Sequence, residues 1–152
     1  MAYLSRDPLA EDRGFTLIEI LVVVFIIGVL AAIAIPSLLS QQSKSYDAVA
    51  KEVARNGETA AETYATEHEG KYDSLNVEAV HQDDPTIQTA AGGKNAYLSV
   101  AESKESGRGY VLTAIAAQSG DSFTVTRKEN GEVLRTCTRG SSDEAGCKTG
   151  TW

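Results

Sequence analysis

The chain has 152 residues, and its 21 acidic and 14 basic side chains give a formal net charge of −7. This length supports one small domain with a modest core beside an apolar segment. Because the acidic balance disfavours the phosphate backbone as a partner, we expect no direct nucleic-acid binding.

The first 14 residues, MAYLSRDPLAEDRG, contain no apolar core. A conventional secretory signal has about 7–15 apolar residues before its cleavage site, so this segment is not one. Cytoplasmic flanks of membrane helices carry the excess of Lys and Arg. Arg6 and Arg13 therefore favour an orientation with this segment inside the cell and the rest of the chain outside.

A long apolar run follows, from Phe15 to Leu39, and no charged residue lies between Ile20 and Ser43. As a helix these 25 residues would extend over roughly 37 Å, which is enough to cross a bilayer. Glu19 lies near the start of the run. A carboxylate beside lipid requires a partner, and we expect that partner to lie outside this stretch.

The residues GFTLIE, from Gly14 to Glu19, precede an apolar run that is interrupted at Gly28 and Pro36. This pattern resembles the N terminus of type IV pilins and of the related pseudopilins. The resemblance implies that a membrane peptidase cuts between Gly14 and Phe15 and methylates the new N terminus at Phe15. It also implies that the apolar helix later moves from the bilayer into the core of a filament.

The resemblance and the chemistry together suggest a role for Glu19 in assembly. The free amine of Phe15 could pair with the Glu19 carboxylate of a neighbouring subunit inside an apolar bundle. Each subunit would then supply the counter-charge that the other lacks. The alternative is an ordinary signal anchor in which the acid extends to the membrane interface.

Two residues inside the run weaken its helix. Pro36 lacks a backbone donor and crowds the preceding turn, whereas Gly28 tolerates a loosened backbone. The resemblance suggests that the helix breaks between them in assembled filaments. The alternative is a simple kink in a continuous membrane helix.

The helix is predicted to continue into water as an amphipathic segment. Its apolar positions recur at helical spacing, and they are Tyr46, Val49, Val53, Gly57, Ala60 and Tyr64. We expect Asp47 to lie mostly away from this face and to pair with Lys51. Gly70 is the predicted end, because glycine adopts the left-handed conformation that terminates helices. The helix should therefore cover residues 15–69.

Residues 71–95 show little periodicity and are predicted to form a loop with one short helix near 76–81. Glu78, Asp83 and Asp84 lack the spacing of a calcium loop, so we expect no metal site. His68 and His81 have no paired acid or nucleophile at a recognisable spacing. We therefore expect no catalytic residues and no cofactor.

Alternation and turn residues predict three or four strands in the second half of the chain. The turns at 119–121 and 129–131 suit tight hairpins, so the last three strands should form an antiparallel meander. The amphipathic part of the helix should cover the apolar side of this sheet. The predicted strands are 96–101, 110–118, 122–128 and 132–138.

Cys137 and Cys147 are the only cysteines. In a domain outside the cell a disulfide between them is the economical interpretation, and it would close a loop near the C terminus. Neither zinc-site nor redox-motif spacing is present. Pilins commonly have a C-terminal disulfide loop, so the resemblance extends to both ends of the chain.

The predicted fold class is α+β and pilin-like, with one long N-terminal helix packed under a small antiparallel sheet. Its predicted segments are a cleaved leader (1–14), a membrane or filament-core helix (15–39), an amphipathic continuation (40–70) and a head (71–152). By resemblance, the chain starts as a single-pass protein of the inner membrane. A prepilin peptidase and the pilus assembly machinery would then convert it into a homo-oligomeric extracellular filament for motility, adhesion or DNA uptake.

Two other functions remain open at this point. The same N-terminal motif occurs in pseudopilins of type II secretion systems and in minor pilins. A membrane-anchored monomeric binding module is a candidate from a different class. Loss of the charge at Glu19 distinguishes such a module from a filament subunit, because only the filament subunit would need that charge for assembly.

Overall fold

The computed structural model describes residues 14–92, 96–140, 146–147 and 149–152. Apart from residue 14, the predicted leader lies outside these residues. Two compact units are present, one ending at Pro36 and the other comprising Ser37–Trp152. The regular elements are two helices, α1 (Leu17–Glu67) and α2 (Val77–Asp83), and four strands, β1 (Tyr97–Lys104), β2 (Gly109–Ile115), β3 (Ser122–Arg127) and β4 (Val133–Thr138).

Helix α1 begins and ends within two residues of the predicted bounds. Gly28 and Pro36 lie within α1 as helical residues, and the break that is expected between them in assembled filaments stays a prediction. The helix is terminated by residues in the left-handed region, Glu69 at φ 56° and Gly70 at φ 79°. The N–H of Gly70 donates to the carbonyl of Ala65 at 2.8 Å, which satisfies a carbonyl that the helix leaves open.

The buried face of α1 agrees with the predicted one at Gly57, Ala60 and Tyr64 but differs nearer the N terminus. Val49 is 36% exposed, whereas Asp47 is fully buried. Small residues, alanine and glycine, make up most of the buried face and let the sheet approach the helix closely. The buried residues of α1 are Asp47, Ala50, Ala54, Gly57, Ala60, Ala61, Tyr64 and Ala65.

The sheet has four strands in the order β1-β2-β3-β4, and every neighbouring pair is antiparallel. The predicted meander is confirmed, and β1 adds a fourth strand beside β2. In the register, Leu112 is opposite Val125 and Ala114 is opposite Phe123. Since opposite residues share a face, these four side chains project from one side of the sheet.

The core lies between that side of the sheet and the amphipathic part of α1, as predicted. Leu98, Leu112 and Val125 are fully buried and belong to one cluster with Ala54 and Ala61. Burial of each such leucine contributes on the order of 1.5–3 kcal/mol. This packing holds the sheet on the helix.

Helix α2 lies in the connection between α1 and the sheet, close to its predicted position. Asn76 is its N-cap, and its Oδ1 accepts a hydrogen bond from the N–H of Ala79 at 2.8 Å. Val80 of this helix is fully buried in the core. The short helix therefore closes one side of the core.

The predicted disulfide between Cys137 and Cys147 is present, with a Cα–Cα distance of 5.7 Å. Cys137 lies in β4, and its N–H donates to the carbonyl of Gly150 at 2.9 Å. Beyond the disulfide, the ring of Trp152 packs edge-on against Phe123 at 5.9 Å. The last residues are thus attached to the sheet by the disulfide, by this hydrogen bond and by the ring contact.

Candidate functional site

The predicted cleavage junction lies in extended chain just before α1. Gly14 has no neighbouring atom within 4 Å of the position that a Cβ would occupy. Phe15 is 81% exposed. Both residues of the predicted junction are therefore accessible.

The apolar surface that follows is exposed along its length. Leu17 is 82% exposed and Ile33 is 72% exposed, although both are large aliphatic residues. Among the described residues, α1 alone is long and apolar enough to cross a membrane. A surface of this kind requires lipid or another apolar partner to cover it.

The Glu19 carboxylate has a hydrogen-bonding partner within its own helix turn, contrary to the sequence-based expectation. The N–H and the hydroxyl of Thr16 both donate to Oε2 of Glu19, at 2.9 Å and 2.7 Å. In return the N–H of Glu19 donates to Oγ1 of Thr16 at 3.3 Å. Thr16 precedes the first residue of α1, so the pair forms a capping box.

The signal for this arrangement was present in the sequence but was not recognised. Thr16 and Glu19 have the spacing of a capping box, Ser or Thr followed three residues later by Glu or Gln, and an apolar run comes next. The charge of Glu19 alone predicts a cationic partner. In the structure the carboxylate instead accepts hydrogen bonds from an uncharged residue.

A second polar site joins α1 to the disulfide loop within the Ser37–Trp152 unit. The buried carboxylate of Asp47 accepts from the hydroxyl of Ser119 and from the N–H of Gly146, each at 2.6 Å. Lys51, one turn further along, donates through Nζ to the carbonyl of Gly146 at 3.1 Å. Asp47 is therefore a buried anchor for the loop.

A third polar site connects α1 with β2 and β3. Glu62 accepts hydrogen bonds from the hydroxyls of Tyr72 and Tyr110, at 2.9 Å and 3.1 Å, and forms an ion pair with Arg127 at 3.1 Å. Burial, reinforced by the hydrogen bond to Glu62, raises the pKa of Tyr72 to about 12. Burial likewise raises the pKa of Tyr110. These interactions fix one turn of the helix against the sheet.

The residues considered as metal ligands or catalytic groups have ordinary structural contacts. Oδ1 of Asp84 accepts from both the N–H and the hydroxyl of Thr86. The ring of His68 stacks on Tyr64 at 3.8 Å, and Nδ1 of His81 lies 2.8 Å from the carbonyl of Ile87. In the described parts of the chain, no group of three His, Cys, Asp or Glu residues could hold a metal ion.

Comparison with known proteins identifies relatives for both the N terminus and the whole chain. Residues 10–35 match the prokaryotic N-terminal methylation motif. Fimbrial protein Q of Moraxella bovis is 33% identical over 149 residues, which cover 91% of this chain and 92% of that protein. No solved structure matches the chain.

Two further relatives match mainly through the N terminus. The type IV major pilin protein PilA of Myxococcus xanthus is 43% identical over 66 residues, 43% of this chain and 30% of that protein. The type II secretion system core protein G of Escherichia coli is 51% identical over 35 residues, 23% of this chain and 24% of that protein. The chain thus spans less than a third of the length of these two relatives.

The fimbrial relative is matched over nearly its full length, and the N-terminal methylation motif covers the junction and most of the apolar run. The long N-terminal helix, the four-stranded antiparallel sheet and the C-terminal disulfide agree with these matches. The chain therefore belongs to the type IV pilin family.

Proposed function

We propose that this chain is the structural subunit of an extracellular type IV pilus and is made as a single-pass precursor in the inner membrane. The supporting observation is the exposed apolar surface of residues 15–39, in which Glu19 is the only charged side chain. A bilayer covers such a surface before assembly. A bundle of identical helices covers it afterwards.

The precursor is cut between Gly14 and Phe15, and the new N terminus at Phe15 is methylated by the prepilin peptidase. The match to the methylation motif and the exposure of both residues support this step. Residues 15–39 then form the filament core. Residues 40–70 continue the helix beneath the head formed by residues 71–152.

In the filament, the amine of Phe15 pairs with the Glu19 carboxylate of a neighbouring subunit. Both groups lie at the start of an otherwise uncharged surface, so each would be costly to bury alone. The pairing compensates both charges at once. It also sets the axial register between adjacent helices.

The role is structural rather than catalytic, and the partners are other copies of the chain, the prepilin peptidase and the pilus assembly machinery. In the part of the head that the structure describes, no group of three His, Cys, Asp or Glu residues could hold a metal ion. Because the chain carries a net charge of −7, direct nucleic-acid binding is not part of the proposed role.

A pseudopilin of a type II secretion system is the second candidate. The similarity to core protein G of Escherichia coli supports it, although that similarity covers only 35 residues. The N-terminal segment is consistent with both a pilin and a pseudopilin. The relationship of the whole chain to a fimbrial protein favours the pilus.

Mass spectrometry and electron microscopy of filaments sheared from the cell surface test the proposal. We expect filaments built from a subunit that begins at methylated Phe15 and lacks residues 1–14. A surface subunit that retains the leader, or a chain that remains a monomer in the membrane, would contradict it.

A comparison of Glu19→Leu with Glu19→Gln tests the charge pair. Both variants should be cleaved and retained in the membrane but should form few filaments, because the incoming amine would be buried without a counter-charge. Glutamine is the closer control, since it keeps size and hydrogen bonding. A monomeric anchor would be unaffected by either change.

A further inference from the structure

We propose that Thr16 is a positioning residue for assembly, which holds the Glu19 carboxylate at the start of α1 before a neighbouring subunit arrives. This inference rests on the proposed function, because it concerns how the assembly carboxylate is prepared. It adds an intrasubunit step that comes before the pairing of Glu19 with the amine of Phe15.

Only one of the two carboxylate oxygens of Glu19 accepts hydrogen bonds within the described residues. Both hydrogen bonds from Thr16, through its N–H and its hydroxyl, end on Oε2. Within the described residues, no donor reaches Oε1 of Glu19. Since a carboxylate has about four acceptor positions, Oε1 remains able to accept from an incoming amine. Capping and charge pairing can therefore coexist on one side chain.

The hydrogen bonds from Thr16 also affect the free energy of docking. A glutamate side chain has several rotatable bonds, and fixing it during association opposes binding through lost conformational entropy. In this chain the side chain is already fixed by bonds to its own helix turn. Thr16 therefore removes part of that entropic cost before assembly.

Thr16 also stabilises the Glu19 carboxylate while the subunit is still in the membrane. A carboxylate at the start of an apolar helix needs hydrogen-bond donors when water is scarce. Thr16 supplies two donors that do not depend on any second subunit. It lies after the proposed cut, so the mature subunit retains it.

Thr16→Val and Thr16→Ser form a matched pair of test variants. Valine has nearly the shape of threonine and keeps the backbone N–H bond but lacks the hydroxyl, whereas serine keeps the hydroxyl. At equal levels of cleaved subunit in the membrane, we expect Thr16→Val to lower filament yield about fivefold, the effect of losing a helix N-cap. Thr16→Ser should restore most of the yield.

An independent measurement reports on the monomer. The infrared carboxylate stretch of isotope-labelled Glu19, in detergent-solubilised full-length subunit, reflects the hydrogen bonds that the carboxylate accepts. This band should shift in Thr16→Val and stay near the wild-type position in Thr16→Ser. An unchanged band in the valine variant would overturn the inference, whatever the filament yield.

The filament outcomes separate this inference from the proposed function. Wild-type yield from Thr16→Val, or equal losses in the valine and serine variants, would overturn the role of the Thr16 hydroxyl while leaving the pilus function intact. Normal assembly of Glu19→Gln would refute the charge pair and with it the positioning role, because assembly would then need no carboxylate at this position, while the pilus function would stand. Absence of wild-type filaments would overturn both proposals.

Discussion

The carboxylate of Asp47 accepts a hydrogen bond from the N–H of Gly146 at 2.6 Å, although 99 residues separate them. The same carboxylate binds the hydroxyl of Ser119, so one buried side chain of α1 connects the helix to two parts of the head. Gly146 immediately precedes Cys147. The disulfide loop is thus attached both to β4 and to the helix.

Replacement of Asp47 by asparagine should destabilise the head. The amide keeps one acceptor oxygen for the N–H of Gly146 but presents a donor to Ser119, whose hydroxyl must then accept instead of donate, and the charge that strengthens both hydrogen bonds is lost. Because hydrogen bonds to charged groups are worth about 1 kcal/mol more than neutral ones, we expect a loss of about 1–2 kcal/mol. Denaturant unfolding of the detergent-solubilised chain, followed by the fluorescence of Trp152, measures the loss.

Asp83→Asn is the matched control for this change, because Asp83 is exposed. It should change the free energy of unfolding by less than about 0.5 kcal/mol. Equal effects of the two substitutions would show that the buried carboxylate has no special role.

Gly140 allows two turns of the head to meet. A Cβ at this position would lie 2.0 Å from the carbonyl oxygen of Gly120, which is backbone and cannot rotate away. We therefore expect Gly140→Ala to lower the free energy of unfolding by about 2 kcal/mol or more. Gly92→Ala, where no atom lies within 4 Å of the added Cβ, should be nearly neutral.

The disulfide should stabilise the tail more than the sheet. Its chain-entropy contribution for a short loop is about 2.5–3 kcal/mol. In Cys147→Ser, hydrogen exchange should accelerate at the amide of Cys137, which donates to Gly150, and should remain slow in β2. Peptide mapping without reduction checks that the bond is present in filaments. Simultaneous unfolding of the whole head in this variant would contradict a local role.

The head should lose stability at alkaline pH through Tyr72. Its pKa in the folded chain is about 12, above the usual value of about 10, so the stabilisation is complete below about pH 10 and is lost as pH rises toward 12. Between these values the unfolded chain has released the proton and the folded chain has not. Denaturant unfolding at increasing pH should show a loss of roughly 1–2 kcal/mol from this residue.

Tyr72→Phe is the control for the alkaline effect. Phenylalanine removes the titrating hydroxyl and its hydrogen bond to Glu62, so the variant should be less stable at neutral pH but should lose less stability on alkalinisation. Tyr110 remains in this variant and retains a raised pKa. An identical pH dependence in both proteins would contradict the assignment to Tyr72.

Features of the fold that depend on local interactions were predictable from the sequence, whereas those that depend on distant contacts were not. The ends of α1, the hairpins and the disulfide were predictable, because Gly70, the turns at 119–121 and 129–131, and the two cysteines act through local conformation or covalent geometry. The face of α1 that is buried depends on which residues of the sheet approach it. A charged residue such as Asp47 gave no local sign of its partners Ser119 and Gly146.

The hydrogen bonds between Thr16 and Glu19 were missed for a different reason. Thr16 lies only three residues away, so the interaction is local and its spacing was visible. The partner in a neighbouring subunit is a separate matter, because a single chain cannot contain it. That part of the site stays a prediction.

Pro36 should make the filament more extensible under force. Proline has no N–H, so the carbonyl of Ala32 lacks its usual helical donor even though α1 is continuous there. Tension should therefore open α1 first near this turn. Pro36→Ala restores the missing hydrogen bond and favours the helix by about 3 kcal/mol.

Filaments of Pro36→Ala should extend less than wild-type filaments at the same force in single-filament pulling experiments. Gly28→Ala should also reduce the extension but by a smaller amount, because glycine costs a helix only about 1 kcal/mol relative to alanine. Leu38→Ala, which changes an exposed helical residue without removing a backbone restraint, is the control for altered packing. Equal extensibility of the wild type and the Pro36→Ala variant would place the compliant segment elsewhere in the subunit.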